Sequence, residues 1–224
     1  DAYQQLLSAG ELRPDPDQRR AAEALDRLSR ELAAARGGLL RKLLRRDPQP
    51  VRGVYLWGGV GRGKSMLMDL AFDHIPTEPK RRVHFHAFML DVHQRIRRVR
   101  EEGRGDPIPP VAESIAAEAR LLCFDEMVIN NTADAMILSR LFTALLDEGV
   151  AVVTTSNRPP RDLYKDGLNR ELFVPFIHLV EQRLQVVELN GPTDYRLDRL
   201  AGVKVWHVPN GPEATAALSR AFFQ

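Results

Sequence analysis

Eight consecutive residues, Gly58-Gly59-Val60-Gly61-Arg62-Gly63-Lys64-Ser65, have the types and spacing of a phosphate-holding loop. They fit G-x-x-x-x-G-K-[ST], a pattern that carries meaning when a strand precedes it and a helix follows. Here an apolar run at 54–57 precedes and a helical pattern over 63–73 follows. The glycines let main-chain N–H groups curl round phosphate oxygens with no Cβ in the way. The helix N-terminus beyond adds unsatisfied donors and a partial positive charge. Lys64 is placed to reach the β- and γ-phosphates of ATP, and the Ser65 hydroxyl to take one position around Mg2+. With Met66, these residues are the predicted nucleotide contacts.

A second chemical signal is Asp125-Glu126, which follows the apolar run Leu121-Leu122-Cys123-Phe124. A strand ending in two carboxylates puts them at the C-terminal edge of a sheet, where open α/β sheets bind ligands. Asp125 is predicted to hold the Mg2+ shell and Glu126 to polarise an attacking water. The alternative is a pair of carboxylates capping a helix or turn. Asn157, just past the run 150–155, is a candidate to orient that water and the γ-phosphate. A loop asparagine bonded to its own backbone is the competing reading. Arg170 is the candidate arginine finger, supplied across a subunit interface to stabilise transition-state charge; Arg158 and Arg183 are held in reserve. With 27 arginines in the chain, a solvated structural role competes for each. Cys123, inside an apolar strand, reads as an inert buried thiol.

These residues need a scaffold. Strands are predicted over 54–57, 82–88, 121–124, 150–155 and 184–189, and helices over 63–73, 90–102, 111–119, 132–147 and 171–181. The first, third and fourth strands are near-continuous apolar runs, as in parallel strands buried on both faces. Strand–helix alternation of this kind predicts an α/β fold with a five-stranded parallel sheet flanked by helices. Ahead of it, Asp15-Pro16-Asp17-Gln18 reads as a helix start, with Asp15 as cap and Pro16 at the first position. Ala22, Leu25, Leu28 and Leu32 continue that helix at three- and four-residue steps. The chain thus divides into an N-terminal helical segment and linker (1–50), a phosphate-loop core (51–191), and a C-terminal hairpin and helix (192–224).

The 224 residues suffice for one substantial domain. Being 44% apolar and 28% charged, the chain is neither disordered nor fibrous. Lysine plus arginine number 32 against 30 acidic residues, a balance of +2 that does not argue for wholesale nucleic-acid binding. One cysteine excludes an internal disulfide framework and fits a reducing, cytoplasmic setting. No apolar run approaches the ~18 residues of a membrane span.

Taken together, the blocks at 53–68 (GVYLWGGVGRGKSMLM), 82–95 (RVHFHAFMLDVHQR), 121–126 with 133–138, 155–164 (TSNRPPRDLY), 169–177 (NRELFVPFI) and 191–197 (GPTDYRL) resemble the ZapE-type cell-division ATPases, the bacterial branch of an AAA+ family with mitochondrial relatives. The resemblance implies an AAA+ core, ATP hydrolysis and a homo-oligomer. It implies as partner FtsZ or another protein of the division ring, and peripheral membrane association at the division site. By position it assigns Lys64 and Ser65 to Walker A, Asp125 and Glu126 to Walker B, Asn157 to sensor one and Arg170 to the finger. Gln18 is a candidate for contact with adenine, a plain capping glutamine being the alternative. Two departures stand out. The family usually carries an aspartate near position 131, where this chain has Asn131. The family also continues beyond position 224, which leaves a lid with a second sensor open.

Weaker signals remain. His84 and His86, read on one face of a strand, lack a metal-ligand partner set with His93; they read as packed, hydrogen-bonded histidines, the alternative being a polar residue that restrains Glu126. The arginines at 95–104 read as a solvated helix end, with an acidic partner or nucleic acid as the alternative. The basic amphipathic stretch at 39–46 reads as packing on the core rather than binding lipid. Two rival functions keep the fold: a helicase-loader-like nucleic-acid ATPase and a nucleotide-gated scaffold without turnover.

Overall fold

Five parallel strands form one sheet in the order β2-β3-β4-β1-β5. They are β1 (Gly53–Trp57), β2 (Lys80–His84), β3 (Leu121–Asp125), β4 (Ala151–Ser156) and β5 (Leu184–Glu188). The helices are α1 (Ala2–Ser8), α2 (Pro16–Arg36), α3 (Lys64–His74), α4 (Phe85–Glu101), α5 (Ile108–Glu118), α6 (Thr132–Asp147) and α7 (Val174–Arg183). The structure, a computed structural model, describes residues 2–36, 51–103 and 105–191. The predicted stretch at 39–46, the connector at 47–50, and the C-terminal hairpin and helix within 192–224 lie outside the described residues.

Strand alternation sorts the core into two layers. Val54, Leu56, Leu121, Cys123, Ala151 and Val153 face α1, α2 and α3. Tyr55, Leu122, Phe124, Val152 and Leu184 face α4 to α7. In the second layer Phe124 stands edge-on to Phe88 at 4.6 Å, and Phe142 edge-on to Phe176 at 5.2 Å. The same alternation places Lys80, Arg82 and His84 on the α3 side, in register with Leu121, Cys123 and Asp125. Helix α2 starts as its sequence dictates: the Asp15 carboxylate accepts from the N–H groups of Asp17 and Gln18.

Two predicted elements shift. The strand expected at 82–88 is a strand only to His84, and α4 begins at Phe85 with no intervening loop. Phe85, Phe88, Met89, Val92 and Ile96 are all buried, and their spacing is helical rather than alternating. His84 and His86 therefore do not share a strand face. The helix expected at 171–181 divides into a 3-10 turn, Arg170–Leu172, and α7. Pro175, in the first turn of α7, lacks an N–H and suits that position, so it sets the helix start.

An ionic cluster ties β2, α4 and α5. Arg95 donates to Asp91 and Glu118, and Arg81 also reaches Asp91. Burial acts upward on the Asp91 carboxyl, but the hydrogen bonds from Arg95 and Arg81 outweigh it and leave the pKa below the usual range. The Arg95 bond likewise holds Glu118 low. Carboxyls depressed on folding contribute stability above the unfolded carboxylate range, and lose it as pH falls towards the folded values. Arg95→Met is expected to cost about 2 kcal/mol at pH 7. In urea unfolding that deficit should shrink as pH falls below the usual carboxylate range and vanish only below the lowered folded values, where the carboxylates are protonated in wild type too.

Candidate functional site

The loop between β1 and α3 is shaped by close backbone approaches. A Cβ at Gly58 would sit 1.9 Å from the Leu189 carbonyl oxygen. Gly63 has a left-handed backbone, φ 84, and a Cβ there would meet Gln18 Nε2 at 2.6 Å. Helix α3 then begins at Lys64 with no side-chain cap, so its first N–H groups remain for an oxyanion. The buried Lys64 ammonium folds back over the loop, donating to the carbonyls of Gly58 and Gly59, each at 2.7 Å. Burial lowers its pKa; the Glu126 carboxylate opposes this and Arg62 adds to it.

Two other segments brace the loop. Gln18 Nε2 donates to the Arg62 carbonyl at 3.2 Å. Asn190 Oδ1 accepts from the Gly59 N–H at 3.0 Å, and the Asn190 N–H donates to Asp17. Met66 is partly buried against the α3-side core. The amide nitrogen of Gln18 thus holds the loop backbone, and the N–H of Gln18 is itself capped by Asp15.

Asp125, at the end of β3, lies on the α3 face beside Ser65. The Ser65 hydroxyl donates to Asp125 Oδ1 at 3.4 Å and the Thr155 hydroxyl to the same oxygen at 3.3 Å. Arg82 Nη2 donates to Oδ2 at 2.6 Å. Ser65 and Asp125 supply hard oxygen donors at contact range, a set that fits Mg2+. Glu126 has a left-handed backbone, φ 54, uncommon for a residue other than glycine. Its N–H donates to Thr155 Oγ1, and the next N–H, of Met127, donates to the Thr155 carbonyl. These bonds fix the turn while the Glu126 side chain, exposed, makes no hydrogen bond or ion pair with the described residues.

Asn157 follows directly on β4, between β3 and β1 in the sheet, and is exposed. Its turn is pinned by the Tyr55 hydroxyl, which donates to the Arg158 carbonyl at 2.9 Å. Burial raises the Tyr55 pKa, so the hydroxyl keeps its proton. Among the described residues no contact brings Arg170 to the loop; its guanidinium donates to the Arg161 carbonyl. None of His84, His86 or His93 bonds Glu126. His93 instead meets Asp134 at 2.6 Å. No group of three or more histidine, cysteine, aspartate or glutamate side chains that could hold a metal ion occurs among the described residues.

Asn131 caps α6, accepting from the Asp134 N–H at 2.8 Å while its Nδ2 donates to the Asp134 carboxylate at 2.6 Å. An aspartate at 131 could not donate that second bond. Sequence reasoning missed Arg82, Thr155 and Asn190. A polar Thr154-Thr155-Ser156 end to a valine strand was the available signal for Thr155; Arg82 and Asn190 carried none until the strand register was known.

A family model described as AFG1-like ATPase matches residues 1–224. The chain belongs to the AFG1-like ATPase family. It is 38% identical over 231 residues to the cell division protein ZapE of Escherichia coli strain K12, covering 97% of this chain and 61% of that protein. It is 45% identical over 186 residues to lactation elevated protein 1 homolog B of Danio rerio, covering 78% of this chain and 37% of that protein. The chain therefore spans about three fifths of the length of its bacterial relative. Domain III of the Thermotoga maritima replication initiation protein DnaA superposes with a TM-score of 0.55 at 19% identity, covering 91% of this chain and 77% of that one. The crystal structure of DnaI gives 0.53 at 12% identity, covering 81% and 89%. At such identities the likeness shows the fold alone: an α/β core built on a five-stranded parallel sheet flanked by helices. No helix among the described residues is long and apolar enough to cross a membrane.

Proposed function

We propose that the chain binds ATP with Mg2+ on the 58–66 loop and hydrolyses it, as the motor core of a homo-oligomer. The observation that carries this reading is the meeting of Asp125 with Ser65 beside an uncapped helix N-terminus. Lys64 would leave the Gly58 and Gly59 carbonyls and donate to the β- and γ-phosphate oxygens. The metal, held by Ser65 and Asp125, would neutralise charge developing between those phosphates. Glu126 takes the proton of the attacking water. Asn157, at the β4 end, orients that water and the γ-phosphate. Gln18 closes the loop from the α2 side, near where adenine would lie.

Arg170 has no contact with its own phosphate loop, which supports donation to a neighbouring copy. Such contacts run head to tail. The test is ATP turnover per subunit as a function of protein concentration. The rate per subunit is expected to rise with concentration. Arg170→Ala is expected to lower turnover about 10³-fold, while mixing it with Lys64→Met, itself inactive, restores part of the activity. A rate per subunit flat over a hundredfold dilution, with no rescue, rejects a site shared between chains.

The cellular role follows from kinship. The likeness to the cell division protein ZapE supports a task at the division ring, with FtsZ or another ring protein as partner. It supports a cytoplasmic location at the division site, at the inner membrane face. Pull-down of FtsZ by the ATP-loaded Glu126→Gln variant, absent without nucleotide, is the corresponding test.

A further inference from the structure

Asp125 is gripped from two directions. The hydroxyls of Ser65 and Thr155 hold one carboxylate oxygen and the Arg82 guanidinium the other. The second arm of Arg82 pairs with Asp69. Asp69 stands four residues after Ser65 on α3 and so shares its face. A single guanidinium thus bridges helix α3 and strand β3 through two carboxylates. Arg82 sits on the edge strand, in register with Cys123 and on the same face as Asp125. Its side chain is half-buried and that of Asp125 almost wholly so.

Remove the guanidinium, and two carboxylates and two hydroxyls remain with nothing positive between them. That is a hard-oxygen set suited to Mg2+ or Mn2+, and two like charges so close repel each other. An arginine there is charged at every accessible pH, and its fork serves both carboxylates at once.

We propose that Arg82 is a positioning residue of the nucleotide site: a resident cation that holds Asp69 and Asp125 until a divalent ion arrives. It keeps the empty site from collecting metal, so that metal enters efficiently only together with phosphates, whose added negative charge outweighs the guanidinium. The inference rests on the reading of Ser65 and Asp125 as metal ligands.

The probe is Mn2+ alone, titrated into nucleotide-free protein and followed by loss of the free-ion electron paramagnetic resonance signal. Arg82→Gln is expected to bind Mn2+ at least tenfold more tightly than wild type. Arg82→Lys, which keeps the charge, is expected to stay within threefold of wild type. Adding Asp69→Asn to Arg82→Gln should remove most of the gain. Equal Mn2+ uptake by wild type and Arg82→Gln overturns the proposal. Should Arg82→Gln fail to fold by circular dichroism, Asp69→Asn alone decides. It leaves the guanidinium wholly to Asp125, so half-saturating Mn2+ for fluorescent ADP binding should rise at least threefold, and an unchanged value overturns the proposal. Fluorescent ATP binding by wild type is scored separately. Its absence removes the phosphate-loop reading whatever the Mn2+ arm gives.

Discussion

Glu126→Gln is expected to cut ATP turnover by about 10²–10⁴-fold, the contribution of a positioned general base, while nucleotide affinity stays within about threefold, below the 1.4 kcal/mol of a tenfold change. The geometry supports both halves. The Glu126 side chain is exposed and makes no hydrogen bond or ion pair with the described residues, so changing it to glutamine removes only its Coulombic pull on Lys64. Its backbone is fixed independently, through Thr155, in a left-handed turn that glutamine adopts at the same cost as glutamate. Glutamine keeps the shape and removes the basic oxygen. Phosphate release reads the first quantity and titration with fluorescent ATP the second. Turnover within threefold of wild type would remove Glu126 from its role; a matching loss of affinity would mean that the turn, rather than the base, had been damaged.

The second large effect belongs to Lys64. Its ammonium is buried and, among the described residues, donates to two main-chain carbonyls, at 2.7 Å each. Burial already lowers its pKa, so the charge is held at a cost that anionic phosphate oxygens would relieve. Lys64→Met keeps most of the aliphatic stem and deletes the charge. A charge-assisted hydrogen bond contributes about 1.5–3 kcal/mol, so ATP affinity is expected to fall by about 10- to 150-fold. Turnover at saturating ATP should also collapse, because the same ammonium follows the γ-phosphate into the transition state. Calorimetric titration with ATP and with AMP separates the causes. The loss should be large for ATP and near zero for AMP, which carries neither the β- nor the γ-phosphate. An equal loss for both would show a distorted loop instead of a missing charge.

What the sequence disclosed and what it hid have physical reasons. Strands β1, β3 and β4 are apolar on both faces, and a run such as Leu121-Leu122-Cys123-Phe124 has no other economical reading. The loop and the acidic pair are contiguous in sequence, so their types and order suffice. The edge strand β2 is different. It is covered on one side only and carries Lys80, Arg81 and Arg82, so its hydrophobic signal is nearly nil. The aromatic Phe85 and Phe88 then drew the predicted strand past its true end into α4. The site's supports were hidden for another reason. Arg82, Thr155 and Asn190 lie far apart in the chain and meet only through sheet order and register. Arg82 is one arginine among 27, and nothing in its type singles it out. Asn131 looked like a deficit against the resembling family, yet it closes a cap on α6 that a carboxylate could close only in part.

The single cysteine of the chain lies in the middle of β3, fully enclosed, and burial pushes its thiol up to about 12. At neutral pH the native protein therefore offers maleimides and nitroxide reagents essentially no thiolate. The 224 residues are in effect a label-silent background. A cysteine introduced at an exposed position such as Leu168 or Leu172, beside Arg170, would be the one reactive thiol, and a spin or fluorescent tag there would test whether a second copy approaches, without interference from the core.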